Sequence, residues 1–213
     1  MPETIGHGEF VAMLRGAVRQ IEANHETLSE LDTHGGDGDH GSTMLRAMAQ
    51  VRKAVESAAP GDLNALLRDI GWTIMGIDGG ATGPLLGTFF MSMADAAGAD
   101  ALDAPTLAAM FESGLAGVRK HTRAQVGDKT MIDALAPAVE TLSKAASEGA
   151  DCAACLERAA AAAEQGAEST AQLRARFGRA KNLGDKSVGS KDPGAASIAL
   201  IFAGLREGLD SDA

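Results

Sequence analysis

The sequence predicts an all-α fold, an antiparallel up-and-down barrel or bundle of eight helices. Three observations carry that expectation. Ala and Leu abound, while aromatic residues make up only 3% of the chain, with no Tyr and one Trp, so helix formers dominate and strand formers are scarce. Apolar residues recur at three- and four-residue spacing in segment after segment, with no alternating apolar-polar run. Connections are mostly short, which makes successive helices antiparallel neighbours. A length of 213 residues fits one domain spanning 1–213 with a substantial core.

The elements follow in order. Phe10, Val11, Leu14, Ala17, Val18 and Ile21 mark a first helix running to about residue 24, and Met44, Leu45, Met48, Val51 and Val55 a second over about 42–58. Pro60-Gly61-Asp62 opens a third through Leu63, Leu66, Leu67, Ile70 and Ile74, and a fourth covers about 84–97. Asp103-Ala104-Pro105 starts a fifth. A sixth spans about 130–147 and contains Pro137, which should kink it. The seventh, about 152–174, is Ala-rich; the eighth begins at Pro193.

A net charge of −10 speaks against nucleic acid or an anionic membrane as partner, since both reward clustered Lys and Arg. No long apolar span and no basic-apolar leader is seen, so the expected location is cytoplasmic. Cys152 and Cys155 form a lone C-x-x-C in a helical, Ala-rich context without a second ligand pair, and read as two small helical residues.

The chemistry concentrates in the connections. Between the first two helices, Asp32, Asp37 and Asp39 lie among glycines with no Lys or Arg between them. Such carboxylates repel by on the order of a kcal/mol per close pair near a surface unless a cation neutralises them. A hard cation such as Mg²⁺ suits oxygen ligands, whereas Zn²⁺ favours sulfur and imidazole. The spacing is not a calcium loop, because Met48 stands where the closing Glu belongs when counting from Asp37. Gly41-Ser42-Thr43 then open a helix whose first amides can face an anion.

Three further connections are polar and glycine-bearing: Gly76 to Pro84, Val126 to Met131, and the basic stretch Arg176 to Gly194. Gly127-Asp128-Lys129-Thr130 has only a superficial likeness to a Walker A tail, which needs Gly-Lys adjacent. In an up-and-down bundle, helix pairs 1–2, 3–4, 5–6 and 7–8 meet at the same end. Parity therefore gathers all four connections at one rim, as a nucleotide–Mg²⁺ site requires.

At this point whole motifs resemble a known family. Gly36-Asp37-Gly38-Asp39-His40-Gly41, the run Gly79 to Phe90, Gly127 to Asp133, Gly178-Arg179-Ala180 and Asp192-Pro193-Gly194-Ala195 are similar, in order and nearly end to end, to motifs of the L subunit of dihydroxyacetone kinase. The resemblance implies an eight-helix barrel holding ADP or ATP and two Mg²⁺ ions at one end. It implies Asp32, Asp37 and Asp39 as metal ligands, with His40, Gly41, Ser42, Thr43, Ala81 and Thr82 around the phosphates. Thr122 and Met131 fall at nucleotide contacts, Met131 at the base, with Arg179 and Asp192-Pro193-Gly194 closing over the ligand. Asp32, Asp37, Asp39 and Arg179 would carry the catalysis. Thr43, Thr82 and Thr122 stand where the family pattern leads one to expect Asn, Ser and Gly, and Asp78 has no place in it.

What the resemblance implies for function is phosphoryl transfer to dihydroxyacetone, or a related ketose, held on a separate K subunit. The nucleotide is either ATP as cosubstrate or ADP recharged by the M subunit, a phosphotransferase-system phosphoprotein. A chain without a fused K domain leans toward the second mode. An ATP-dependent triose or tetrose kinase subunit, or a nucleotide-loaded module docking on a transcription regulator, would need the same site.

Overall fold

The computed structural model describes residues 4–57, 61–98 and 101–210. Eight α-helices follow one another: α1 His7–Thr33, α2 His40–Ser57, α3 Leu63–Met75, α4 Thr82–Ala96, α5 Ala104–His121, α6 Ile132–Ser147, α7 Cys152–Ser169 and α8 Pro193–Asp210. Two 3-10 stretches, Thr170–Gln172 and Arg179–Ser187, occupy the last connection. Each helix packs on its neighbour in sequence, and α8 returns to α1, so the ring closes as an antiparallel barrel. Among the described residues no helix is long and apolar enough to cross a membrane.

The expected boundaries of α1, α4 and α7 move. α1 runs to Thr33 rather than to about 24, because buried Leu28 and half-buried Leu31 continue its apolar face; this puts Asp32 on a helical turn and leaves a connection of residues 34–39. α4 begins at Thr82, two residues before Pro84, which a first turn accepts because it needs no proline N–H. α7 stops at Ser169 rather than about 174, where Thr170 turns its hydroxyl onto the Ala167 carbonyl at 2.6 Å. α6 runs unbroken through Pro137. Pro137 leaves the Asp133 carbonyl without its helical donor, and that oxygen faces Gly166 of α7, where a Cβ would sit 2.1 Å away.

The interior is filled by side chains. Phe89 and Phe111 meet edge to face with centroids 5.9 Å apart, and Phe111 lies 5.4 Å from Phe202, joining α4, α5 and α8 at geometries that favour aromatic pairs. α8 sits close on α1: a Cβ on Gly16 would fall 1.9 Å from the Gly204 carbonyl. That seam brings the start of α8 beside the α1–α2 connection. Cys152 and Cys155 are buried thiols at the other end. Burial pushes Cys152 up to about 11, which makes it unreactive.

At that far end α3, α5 and α7 each start on an aspartate whose carboxylate accepts an amide of the first turn: Asp62 from Ala65 at 2.8 Å, Asp103 from Thr106 at 2.9 Å, Asp151 from Ala154 at 2.8 Å. Pro60, expected beside the first of these caps, lies outside the described residues. The only β-type pairing among the described residues, Ile5 with Leu102, also lies at this end.

Candidate functional site

Asp32, on the last turn of α1, organises the acidic connection. Its backbone carbonyl accepts Gly36 N at 2.6 Å, and its carboxylate Oδ2 accepts Gly38 N at 3.0 Å and His40 N at 3.3 Å. Gly38 supplies the left-handed turn, at φ +78°, that lets the chain wrap around this carboxylate. Asp32, Asp37 and Asp39 then present oxygen atoms all within 4.8 Å of one another. Burial and the neighbouring charge and hydrogen bond of Asp37 push Asp39 above the ordinary carboxylate range. On Asp37 burial acts upward, but a backbone hydrogen bond, the Asp39 carboxyl and the Arg179 guanidinium together hold it below that range. The two neighbouring carboxyls are thus pushed in opposite directions, as like charges held close together are.

The carboxylates are not without a basic neighbour, as the local sequence had suggested. Arg179 reaches across from the last connection to form an ion pair with Asp37, and the Ala180 side chain packs where a Cβ on Gly35 would stand. The basic segment lies directly against the acidic one.

A cavity of about 570 Å³ opens between them. Asp32, Asp39, His40, Ala81, Thr82, Thr122, Met131, Arg179, Asp192, Pro193 and Gly194 are all on its wall. Gly41, Ser42 and Thr43 are not, nor is Asp37, which is paired with Arg179. Gly41 packs α2 onto α1, where a Cβ would fall 1.9 Å from the His25 carbonyl, and Ser42 turns its hydroxyl onto the Asp39 carbonyl at 2.8 Å. Thr43 is buried beneath Gly79 and accepts Arg46 Nη2 at 2.9 Å. Arg46 also donates to the Asp78 carbonyl at 2.8 Å, so Thr43 and Arg46 brace the Gly79-Gly80 turn from below. The Asp78 side chain is exposed and outside the carboxylate cluster.

His40 joins three elements. Its Nε2 lies 2.7 Å from the Ser197 hydroxyl, which donates to the Pro193 carbonyl at 3.0 Å. The hydroxyl has one proton to give, so Nε2 carries the ring proton and Nδ1 is left as acceptor, 3.5 Å from Thr82 Oγ1. Burial holds the imidazole below its usual pKa, keeping it neutral. Thr122 ends α5 in extended backbone and accepts Ala124 N at 3.1 Å.

Helices α2, α4, α6 and α8 all start at this rim, so four positive dipole ends face the cavity. α4 has no side-chain cap, its N-cap being Ala81. α8 is capped by Asp192, whose carboxylate accepts Ala195 N at 2.7 Å. Burial, reinforced by the charge of Asp133, pushes Asp192 up to about 7.

Sequence reasoning passed over a second polar cluster here. Lys129 is buried, and its ammonium donates to the Thr170 carbonyl at 2.6 Å and to the Ser190 carbonyl. Asp133, also buried, accepts Thr130 N at 2.7 Å and Gly127 N at 2.6 Å. The signal was present: Thr130-x-x-Asp133 has capping-box spacing, inside a stretch read only for its likeness to a Walker tail and to a family motif.

The chain belongs to the DAK2 domain family, which matches it over residues 34–207. Within that family it is similar to the ADP-binding subunit DhaL of PEP-dependent dihydroxyacetone kinase: 40% identical to that of Escherichia coli, over 83% of this chain and 85% of the relative. To the corresponding Listeria innocua subunit 1 it is 37% identical, over 86% and 87%. The crystal structure of the C. freundii dihydroxyacetone kinase in complex with AMP-PNP and Mg²⁺ superposes with a TM-score of 0.71 at 29% identity. That match covers 93% of this chain and 33% of the larger one, so the present chain spans about a third of the C. freundii enzyme.

Proposed function

We propose that this chain, as a single domain over 1–213, is the nucleotide-bearing subunit of a cytoplasmic dihydroxyacetone kinase. It passes a phosphoryl group to dihydroxyacetone, or a related ketose, held on a separate K subunit. The observation that carries this reading is the carboxylate cluster Asp32, Asp37 and Asp39, of which Asp32 and Asp39 line the same cavity that four helix starts border, so that a cation site and a phosphate site lie side by side.

The donor set fits the groups this implies. Asp32, Asp37 and Asp39 offer only carboxylate oxygens, the ligands of a hard divalent ion, and would hold two Mg²⁺; bound there, these ions neutralise charge across the transferring phosphoryl group. His40, Ala81, Thr82 and the amides at the starts of α2 and α4 would meet the phosphates, with Met131 and Thr122 toward the base and Asp192-Pro193-Gly194 on the remaining wall. Arg179 stands at the mouth, where a guanidinium can bridge equatorial oxygens. Gly41, Ser42 and Thr43 contribute through the placement of their backbone.

Among the described residues the exposed large apolar side chains are Trp72, 70% exposed, Val126, Leu183 and Val188. Trp72 sits in the last turn of α3 and the other three in the rim connections, so the apolar surface surrounds the mouth, as docking of a K subunit there would require. The similarity to ADP-binding subunits of PEP-dependent relatives supports ADP as a bound cofactor, recharged by a phosphotransferase-system M subunit.

The test is reconstitution with K subunit and dihydroxyacetone, with ATP alone in one arm and PEP plus the phosphotransferase proteins in the other. Turnover confined to the second arm is expected, with ADP surviving desalting and Arg179→Ala speeding its release. Turnover in neither arm overturns the kinase reading. Protein that purifies empty and works with ATP alone overturns the cofactor reading.

A further inference from the structure

Lys129 is a buried cation on the cavity wall that has no part in the chemistry above. It is 4% exposed and carries the only positive φ of a non-glycine among the described residues, +60°. That conformation is imposed from both sides. Asp133 gathers the amides of Gly127 and Thr130, and Asp128 accepts Gln125 N at 2.8 Å, so the connection folds around Lys129 and turns its stem inward. Strain of this kind persists only where the surroundings over-determine it. Burial pushes the ammonium down from its usual pKa, and the charges of Asp192 and Asp133 act against that.

The two carbonyls it holds are not near each other in sequence. Thr170 follows α7 and Ser190 precedes α8, so they are the two ends of the segment that carries Arg179. Gly189 N to the Ala171 carbonyl, 2.8 Å, and Asp192 N to Thr170 Oγ1, 2.8 Å, join those ends to each other. Lys129 joins both to the α5–α6 connection, alongside Arg176 N on the Asp128 carbonyl at 3.1 Å. Charge-assisted bonds from one buried ammonium make this the strongest tie at the neck. The neighbouring Lys191–Glu168 pair, 2.7 Å, is partly exposed and correspondingly weak.

We propose that Lys129 is a positioning residue: by clasping the Thr170 and Ser190 carbonyls it holds the basic segment shut on the acidic connection and so keeps Arg179 at Asp37. Its consequence for nucleotide retention rests on the function proposed above; the clasp itself does not.

Amide hydrogen exchange on the ligand-free full chain tests it. Lys129→Met should raise exchange across residues 173–188 by about tenfold or more, with α1 to α5 unchanged, whereas Lys191→Met should leave the segment within about twofold. Unchanged exchange at 173–188 in folded Lys129→Met overturns the proposal and leaves a direct ligand contact. Should Lys129→Met not fold, the wild-type chain decides: carbamylation of Lys129 by cyanate should run no faster than the opening of 173–188, and modification as fast as at exposed Lys120 overturns the clasp. With ADP and Mg²⁺, Lys129→Met should release ADP about tenfold faster, and Lys129→Arg should restore part of the loss. A wild-type chain that binds no ADP removes the nucleotide reading, while the exchange result still judges the clasp.

Discussion

At the far end of the barrel α3, α5 and α7 begin on Asp62, Asp103 and Asp151, and each carboxylate is spent on the first-turn amides of its own helix. At the site end Asp192 caps α8 in the same way, but the other aspartates are used differently. Asp37 and Asp39 cap nothing by side chain, Asp32 wraps a connection, and α4 starts on Ala81 with its amides toward the cavity. A helix N-terminus satisfied by its own aspartate has nothing left for a ligand; one left open can take a phosphate. The two ends share an architecture and differ most at α4, whose start is left without a side-chain cap at the site end.

That contrast can be broken most severely at the carboxylates. Asp37→Asn or Asp39→Asn should weaken ADP binding in Mg²⁺ by about 100-fold or more, with the far-ultraviolet helical signal intact, because a metal site loses affinity steeply when its ligand set is altered. Calorimetry showing unchanged affinity would remove the metal assignment. Next in size, Mg²⁺ with ADP at a hundredfold excess over Kd should stabilise the native chain by roughly 2.7 kcal/mol. This is a rise of several degrees in melting temperature, reversed by EDTA.

The third effect concerns pH. The native state keeps a proton on Asp192 up to about 7, whereas an unfolded aspartate gives it up near 3.8. The folded chain therefore binds more protons between those values, and ligand-free stability should fall as pH rises through that window. Asp192→Asn, which keeps the cap, should flatten that slope in urea titrations run across it. The smallest effect belongs to the far end: Asp151→Ala should cost about 1 kcal/mol of stability and leave ADP affinity as it was. A change in affinity there would dissolve the distinction between the ends.

The barrel itself was legible because the apolar spacing of α1 to α8 is strong and uninterrupted, and parity then gathered the correct four connections. Boundaries slipped where apolar residues thin out among polar helix formers, as between Asn24 and Thr33 of α1, where Leu28 and Leu31 alone carry the apolar face on. Asp32, Asp37 and Asp39 come together because the loop between them is short. The sequence could not reveal that Thr43 and Gly41 are packing residues, since both lie within four residues of Asp39 and His40, which do reach the cavity. Lys129 escaped because its role depends on Thr170 and Ser190, two backbone carbonyls far away along the chain. Nothing in side-chain pattern announces a carbonyl acceptor.

The central claim, that one end of the barrel takes the nucleotide and the other does not, is tested most directly by the glycine amides in a ¹⁵N–¹H spectrum. Addition of ADP with Mg²⁺ should shift Gly36, Gly38, Gly80, Gly178 and Gly194, all in the rim connections or at the start of α8, and leave Gly61, Gly98 and Gly149 unmoved. Shifts confined to Gly61, Gly98 and Gly149, or no shift at any of the eight, would contradict the account.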